Sequence, residues 1–498
     1  MDSKGTHQYK SGIVIRGKYI TDDVVSFGGR EEGIEFFSPD PRKYVGRLPL
    51  GDPTRLADLY ELSLDDILDY LVELGTRLEF DRNPYLQEAF EATCLTAADT
   101  PPLIKTAYRS VSQVFSRDMI RESLERNIGI DCLEGWRTAK LLDGREIAVR
   151  AFGARSLHII AGNSPVIAAL TVMRNAVLRS DAIIKNPSND PFTALAIART
   201  MIDMAPDHPV TKHLSVAYWK GGDETIEREL YHPRHIEKIV AWGGLASVRH
   251  VTKYVQPGLE LVTLDPKRSV SIIGAEALKD DATRREVARR LATDIGAFNQ
   301  NGCVSSRVTY VLSGTDEKGV ATLNEFGQNV YDALMALPNA ISTKAKIMDS
   351  DLRRRLNSAR LNDEWYNVIG GKDDEGAVIV SKIPERVDFA PLLACRVANL
   401  VPVDSLDEVL QVVDSFTQTV GVYPDSLKRS LRDTLPLYGA QRLTSLGYAC
   451  VPSQAGPWDA IEPMRRLCKW IVDDTCDPEQ IPPLWENGLI FHGVVTAS

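Results

Sequence analysis

Between residues 156 and 275 the sequence alternates between short apolar runs and longer amphipathic segments. The apolar runs predict buried strands, and the segments between them predict helices of about 10–15 residues. Strands separated by helices of that length indicate a parallel, doubly wound α/β sheet. Because such sheets bind ligands at the carboxyl ends of their strands, three segments that follow strands are candidate ligand sites: AGNSP (161–165), KNPSND (185–190) and WGG (242–244).

The segments on either side of this alternation have different patterns. The first fifty residues mix short strand-like runs with Gly and Pro and predict a small peripheral sheet, and helical patterns continue to about residue 130. Ser63 and Asp66 have the spacing of a capping box, which marks a helix start. A second α/β unit runs to about residue 435, and the tail segments LCKWIVDD and GLIFHGVV predict added strands or a subunit contact.

The net charge of −10 limits the kinds of partner. A surface that binds the phosphate backbone of nucleic acid needs an excess of positive charge, so we expect no nucleic-acid partner. No apolar run reaches the roughly 20 residues that span a bilayer. The polar start MDSKGTHQYK lacks the apolar region of a signal peptide. The sequence therefore predicts a soluble, cytoplasmic protein.

Seven cysteines are scattered along the chain without a CxxC pair. This pattern favours neither a zinc ribbon nor a disulfide framework, and we expect no metal site. Cys303 differs from the others, because the segment AFNQNGCVSSRVTYV (297–311) places it in an Asn-Gly turn between a helix and a strand. A thiol in such a turn faces a crevice, and neighbouring backbone N–H groups can stabilise an oxyanion. Cys303 is therefore the candidate nucleophile.

Six segments follow one another along the chain: IAGNSP, IIKNPSND, VAWGG, LDPKRS, FNQNGCVSS and VDFAPLLACRVANLVPVDSLDEVLQVV. They resemble, in order, the successive landmarks of the aldehyde dehydrogenase superfamily. The resemblance covers roughly residues 140 to 475, and it is closest to the long-chain acyl-CoA reductase (LuxC) branch, which reduces acyl thioesters to aldehydes with NADPH.

The resemblance implies an α/β fold like that of an aldehyde dehydrogenase. An N-terminal flap, helices and a Rossmann-type dinucleotide-binding domain would occupy residues 1–264. An α/β catalytic domain would occupy 265–437. A small oligomerisation or bridging element, which returns to the cofactor domain, would occupy 438–498.

The resemblance also assigns catalytic roles. Cys303 falls at the nucleophilic cysteine, and Asn163 falls at the asparagine whose side-chain amide helps to form the oxyanion hole. An amide at a strand end can face the crevice together with the Cys303 backbone N–H. For the base that ionises the thiol, His158 is a candidate, although a histidine on a buried strand is more often a satisfied core residue.

The cofactor is expected to meet the ends of two strands. Lys185 falls at the lysine that meets the adenosine ribose. Ser188 and Asn189 stand where a glutamate often selects NAD, and these neutral residues favour NADPH, with NADH as the alternative because Asp190 is adjacent.

The remaining cofactor contacts involve two glycines and an aromatic residue. Gly243 falls at the first glycine of the phosphate turn, where the backbone must approach the pyrophosphate closely, and Gly244 follows it. Phe389 falls at the aromatic residue that packs near the nicotinamide. Val387 stands where an acidic residue usually contacts a ribose.

Hydrolytic members of the superfamily carry a glutamate that activates water for deacylation. Alignment on Lys267 places Thr263 at that position, whereas a shifted alignment offers Glu260. If Thr263 stands at this position, no glutamate activates water there, and we expect NADPH to reduce the acyl-enzyme on Cys303. The enzyme would then convert an acyl-CoA or acyl-carrier thioester to an aldehyde. If Glu260 is the base instead, the protein would be an NAD(P)-dependent aldehyde dehydrogenase that forms an acid.

A third reading comes from another class of protein. A non-catalytic scaffold or acyl carrier with an intact fold would become acylated at Cys303 without turnover. The resemblance further implies an acyl-protein synthetase as partner and a homodimer or homotetramer.

Overall fold

Two seven-stranded, mainly parallel sheets organise this protein. The computed structural model describes residues 9–28, 35–142, 145–264 and 267–475. The strands of the first sheet lie between residues 13 and 264, and those of the second between 268 and 445. Two three-stranded sheets accompany them.

Short strands and a layer of helices come first in the chain. The strands are β1 (Tyr9–Lys10), β2 (Ile13–Ile15), β3 (Lys18–Ile20), β4 (Val24–Gly28) and β5 (Glu35–Pro39). The helices are α1 (Ala57–Tyr60), α2 (Leu64–Arg77), α3 (Pro84–Thr96), α4 (Pro101–Arg109), α5 (Arg117–Asn127) and α6 (Ile130–Glu134).

Strands and helices then alternate as the sequence predicts. The elements are β6 (Arg137–Lys140), β7 (Glu146–Gly153), β8 (Arg155–Ile159), α7 (Val166–Val177), β9 (Asp181–Lys185), α8 (Thr193–Met204), α9 (Pro209–Lys212), β10 (Leu214–Ala217), α10 (Glu224–Leu230), β11 (Lys238–Trp242), α11 (Leu245–Thr252) and β12 (Glu260–Leu264).

The first sheet has the strand order β12-β11-β8-β9-β10-β2-β3. Its strands from β12 to β10 are parallel, and β2 and β3 extend it in antiparallel orientation. The chain moves from β8 to β9 and β10 on one side and then continues with β11 on the other. Ligands bind doubly wound sheets beside such a reversal, at the carboxyl ends of the strands. The first sheet therefore offers a ligand site where β8 and β11 end.

The second α/β unit follows directly. Its elements are β13 (Arg268–Ile273), α12 (Asp281–Gly296), β14 (Ser306–Val311), α13 (Glu317–Met335), α14 (Ser350–Leu361), β15 (Tyr366–Gly370), β16 (Ala377–Ser381), β17 (Val397–Pro402), α15 (Leu406–Leu410), β18 (Thr417–Tyr423), α16 (Asp425–Leu431), α17 (Leu435–Tyr438), β19 (Arg442–Ser445), α18 (Pro463–Leu467) and β20 (Cys468–Thr475).

The second sheet has the order β15-β16-β17-β14-β13-β18-β19, with only β15 antiparallel among these described strands. Strand β20 returns to pair with β7, which also pairs with β6. The tail segment LCKWIVDD thus contributes a strand, as predicted. The segment GLIFHGVV lies outside the described residues.

Local sequence explains several of these boundaries. Ser63 and Asp66 form the predicted capping box at the start of α2, since each side chain bonds the other residue's backbone N–H. Helix α7 is mainly apolar, and its residues from Ile167 to Val177 are all buried, so it packs between the sheet and the helical layer.

Two strand expectations need correction. The segment around Ile13 was expected in a peripheral sheet, but β2 pairs with β10 at the edge of the first main sheet. The five residues of β12 were not predicted as a strand, yet they pair with β11 along their full length. Among the described residues no helix is long and apolar enough to cross a membrane.

Candidate active site

The candidate site lies where the carboxyl edge of the first sheet meets the amino edge of the second. Asn163 follows β8, and Cys303 precedes β14. The Asn163 side-chain Nδ2 donates a hydrogen bond to the Asn301 carbonyl oxygen at 3.4 Å. Ser269 Oγ, near the start of β13, donates to the Cys303 carbonyl oxygen at 2.7 Å. The structure thus places Asn163 against the loop that carries Cys303, and the catalytic roles of both residues stay predictions.

The loop before Cys303 has a strained backbone. Phe298, Asn299 and Gln300 have φ angles of 51°, 52° and 66°, a left-handed conformation that residues with a side chain rarely adopt. The surrounding structure holds the loop in place: Gln300 Nε2 donates to the Ser306 carbonyl at 2.8 Å, and Asn299 Oδ1 accepts from the Thr343 backbone N–H at 2.8 Å. Strain of this kind persists where neighbours over-determine it, often beside a reactive group.

The Cys303 side chain is half-buried at the end of this loop. Burial raises the pKa of its thiol, while hydrogen bonds from the Gln418 side chain and from nearby backbone groups lower it in part, and the pKa remains above its ordinary value. Asp459 raises it further. The charges of Arg307 and Arg442 interact with the same thiol. At neutral pH the thiol is therefore mainly protonated, and the groups around it determine how readily it ionises.

A cavity of about 870 Å³, measured out to its open mouth, borders Asn163 and the Cys303 loop. Helices α3 and α4 form the wall opposite the loop. The lining is mainly apolar, with Leu103, Ile104, Ala107, Val166, Phe298 and Val304 among its residues. Apolar walls with few polar groups at one end suit a ligand with a hydrocarbon body and a polar reacting group.

Two carboxyl groups also line this cavity. Asp99, between α3 and α4, accepts a hydrogen bond from Asn301 Nδ2 at 2.6 Å. Burial raises the pKa of Asp99 to about 6, against the lowering effect of that bond. Asp190 is buried and caps α8 by accepting from the Thr193 N–H at 3.0 Å, and burial raises its pKa as well.

Three of the residues predicted to bind a dinucleotide, Lys185, Gly243 and Gly244, lie along the carboxyl edge of the first sheet. Lys185 ends β9, with its Nζ 5.6 Å from the ring centre of Trp219. Gly243 and Gly244 lie between β11 and α11. A Cβ at Gly244 would meet no atom within 4 Å, so this turn leaves room for a ligand at the start of α11. Helix starts favour phosphate groups, and the turn therefore fits a pyrophosphate.

The other residues predicted to bind the cofactor are Ser188, Asn189 and Phe389. Ser188 is half-buried in the turn after β9, and its role stays a prediction. Asn189 donates from its side-chain amide to the Gly162 carbonyl at 3.0 Å, and a Cβ at Gly162 would lie 2.2 Å from its Oδ1; its cofactor role also stays a prediction. Phe389 is only 6% exposed, within the core of the second sheet, and little of its ring is available to a nicotinamide.

The position of Glu260 does not suit a catalytic base. It begins β12, at the sheet edge opposite the one where Asn163 lies. Its carboxylate pairs with Lys238 and with Arg466. Burial alone would raise the pKa of Glu260, but these two cations outweigh that effect and lower it. Thr263, near the carboxyl end of the same strand, has a hydroxyl group that does not accept a proton near neutral pH.

His158 is a satisfied core residue, the more common of the two cases that the sequence left open. It is buried on β8 and bonds Ser156 Oγ at 3.0 Å and the Asn175 side chain at 2.9 Å. Burial lowers its pKa to about 4, so it is a neutral core residue. Within the described parts of the chain, no group of three or more His, Cys, Asp or Glu residues could hold a metal ion.

Sequence reasoning did not find Asp99 or the wall formed by α3 and α4. Asp99 lies 202 residues from Asn301 in the chain, and no motif marks it. The helical pattern around Leu103 predicts an apolar face, but only the folded chain shows that this face lines the same cavity as the Cys303 loop. Gln418 was missed for the same reason.

Comparison with known proteins is consistent with this arrangement. Residues 59–470 match the family model described as acyl-CoA reductase (LuxC). The chain is 24% identical to a long-chain acyl-protein thioester reductase of Vibrio harveyi, over 83% of each chain. It is 27% identical to one from Photorhabdus laumondii subsp. laumondii, over 82% of each chain.

Solved structures show the same fold at low identity. The chain superimposes on the NADP-dependent glyceraldehyde-3-phosphate dehydrogenase of Bacillus halodurans C-125 with a TM-score of 0.71 and 12% identity, over 94% of this chain and 99% of the other. It matches an aldehyde dehydrogenase of Mycobacterium tuberculosis with a TM-score of 0.70 and 14% identity, over the same shares. The fold expected from the sequence, that of an aldehyde dehydrogenase with a Rossmann-like sheet, is confirmed.

Proposed function

Because the chain belongs to the acyl-CoA reductase (LuxC) family, we propose that it reduces an acyl thioester to an aldehyde through an acyl-enzyme on Cys303. One observation carries the proposal: Asn163 contacts the loop of Cys303 at the mouth of an apolar cavity. An oxyanion donor, a thiol and room for an acyl chain thus occur together.

Acyl transfer begins with the Cys303 thiolate. Its sulfur attacks the carbonyl carbon of the bound thioester, and collapse of the tetrahedral intermediate expels the donor thiolate and leaves the acyl group on Cys303. The Asn163 amide and the Cys303 backbone N–H stabilise the negative charge on the substrate oxygen.

The acyl-enzyme then persists because Glu260, the candidate base, is not positioned to activate water for its hydrolysis. When bound, a nicotinamide cofactor supplies the hydride that reduces the acyl carbon. The same two donors, Asn163 and the Cys303 N–H, stabilise the oxygen as it becomes negative again. Collapse releases the aldehyde and returns the Cys303 thiolate, while the proton consumed in the reaction ends on the released donor thiol.

NADPH is the proposed cofactor, with NADH as the alternative. Lys185, Gly243 and Gly244 would hold it along the edge of the first sheet. Asp190, whose charge would oppose a 2′-phosphate, is buried as the cap of α8. Neutral Ser188 stands nearer the end of β9. The choice is tested by comparing kcat/KM for the two cofactors.

Two proposals concern partners. The relatives named above are acyl-protein thioester reductases, which supports an acylated protein, such as an acylated acyl-protein synthetase, as a donor alongside acyl-CoA. Ile471 and Val472 on β20, and Trp136 directly before β6, are each more than two-fifths exposed. These exposed apolar side chains support a homodimer or homotetramer, which light scattering of the purified chain tests.

The direct test of activity offers acyl-CoAs of increasing length with NADPH and follows the nicotinamide absorbance. We expect NADPH oxidation that depends on acyl-CoA and is abolished by Cys303→Ala. Cys94→Ala is the matched control, since Cys94 is a thiol on α3 that is half-buried, as Cys303 is. Full activity in Cys303→Ala would contradict the proposal.

A further inference from the structure

The carboxylate of Asp99 makes a contact that catalysis by Cys303 and Asn163 does not by itself require. Asn301 Nδ2 donates to Asp99 Oδ1 at 2.6 Å, a short distance for an N–H···O bond. The Asn301 carbonyl oxygen accepts the Asn163 amide at 3.4 Å. Asn301 therefore links Asp99 to Asn163 and lies two residues before Cys303.

The segment that carries Asp99 is fixed to the structure that also holds the Cys303 loop. Thr100 Oγ1 lies 2.7 Å from Thr343 Oγ1, and Asn299 Nδ2 donates to the same Thr343 hydroxyl at 3.1 Å. Lys346 Nζ donates to the Ala97 carbonyl at 3.3 Å. Since these bonds flank Asp99, its carboxylate is held in one place relative to the strained loop.

The position of Asn301 matters to both oxyanion donors. An amide NH₂ can donate two hydrogen bonds. Asn163 donates one to the Asn301 carbonyl oxygen, and its second N–H is left to donate to the substrate oxygen. The Asn301 backbone also sets the position of the Cys303 N–H. Donors of this kind act only when they are held close to the productive geometry.

We propose that Asp99 is a positioning residue, which fixes Asn301 and through it both donors of the oxyanion hole. The inference rests on the proposed function and assigns a role to the α3–α4 segment beyond that of a cavity wall. Asp99 does not react with the substrate in this account. With its pKa raised to about 6 by burial, it is mainly ionised near neutral pH, where its bond to Asn301 is charge-assisted.

The test compares Asp99→Ala, Asn301→Ala and the double variant in acyl-CoA reduction. Asn301→Ala keeps the backbone carbonyl but loses the bond to Asp99. We expect each single variant to lower kcat by about 10- to 100-fold with little change in KM. The double variant should be no slower than the slower single variant, because both remove the same link. Asp99→Asn, which keeps an acceptor oxygen, should recover part of the rate.

A second readout separates positioning from loss of structure. Alkylation of Cys303 by iodoacetamide, followed by mass spectrometry of its peptide, needs the thiol but no oxyanion hole. We expect its rate to stay within about threefold of wild type in all variants. Asp81→Asn is the matched control, since Asp81 is an exposed carboxylate paired with Arg109 on α4.

Three outcomes distinguish the claims. Wild-type turnover in Asp99→Ala would overturn the positioning role and leave the proposed function intact. Parallel loss of turnover, Cys303 alkylation and melting temperature would show that Asp99 supports only the fold, which also overturns the inference. A wild-type chain without acyl-CoA-dependent NADPH oxidation would contradict the proposed function itself.

Discussion

The side-chain amide of Asn163 donates to the backbone carbonyl oxygen of Asn301 at 3.4 Å, and this bond joins the two halves of the site. Asn163 belongs to the turn after β8 in the first sheet, while Asn301 belongs to the loop before β14 in the second. Reduction would require a nicotinamide bound at the first sheet to lie close to the acyl group on Cys303, which precedes the second sheet. The Asn163–Asn301 hydrogen bond lies at this boundary between the two sheets.

Replacement of Asn163 tests the oxyanion hole. We expect Asn163→Ala to lower kcat for acyl-CoA reduction by about 10²–10³-fold, because one donor to the developing oxyanion is lost. Steady-state kinetics with a saturating cofactor measures the effect. Asn339→Ala, in an exposed loop, is the control. A change below about threefold in kcat would exclude Asn163 from the oxyanion hole.

Replacement of Glu260 separates reduction from aldehyde oxidation. We expect Glu260→Gln to leave acyl-CoA reduction within about twofold of wild type, because Glu260 lies away from Cys303. The free energy of unfolding should fall by about 1–3 kcal/mol, since Lys238, only 6% exposed, loses a charged partner.

Kinetics and urea denaturation measure the two effects of this change. The control is Glu224→Gln, an exposed carboxylate paired with Arg228 on α10. Loss of activity in Glu260→Gln with an unchanged fold would favour the aldehyde dehydrogenase alternative.

The pH dependence of Cys303 alkylation follows from its environment. Burial raises the pKa of the thiol, and only the thiolate reacts. The rate of alkylation should therefore rise about tenfold per pH unit from about pH 7 to 9. For an ordinary cysteine, with a pKa near 8.5, the rate would begin to level off within this range. Stopped assays with iodoacetamide measure the rate. A plateau already reached by about pH 7 would mean that the thiol is activated, contrary to this account.

The cavity predicts a change in chain-length preference. Ala107 lies on α4 in the cavity wall, and Ala107→Trp would occupy space that the acyl chain needs. Since each buried CH₂ contributes about 0.8 kcal/mol, kcat/KM should fall more steeply for long acyl-CoAs than for short ones. Lys105→Trp, on the exposed side of the same helix, is the control. Equal losses at all chain lengths would place the acyl chain elsewhere.

Most of the fold could be predicted because its signals are local. The alternation of strands and helices, the capping box of Ser63 and the turn of Cys303 each depend on residues close together in the sequence. Strand β12 was missed because it is short and begins with Glu260, whose charge is satisfied by Lys238 and Arg466 only in the folded chain.

The candidate site was only partly predictable for a related reason. Cys303 and Asn163 stand in recognisable segments, and the structure places Asn163 against the Cys303 loop. Asn189 was assigned to the cofactor from its position in the sequence, and only the folded chain shows that its amide also bonds the Gly162 carbonyl. No sequence motif marks Asp99, because it contacts its partner Asn301 only after α3 and α4 have packed against the second α/β unit.

The central claim, an acyl-enzyme on Cys303 that is released by reduction, is tested most directly by intact-protein mass spectrometry. The chain is incubated with an acyl-CoA without cofactor, digested to locate the acyl group, and then treated with NADPH. The account predicts one acyl group on Cys303 that disappears when NADPH is added, with the aldehyde as product. An acyl group on another residue, or release of the acyl group as an acid, would contradict it.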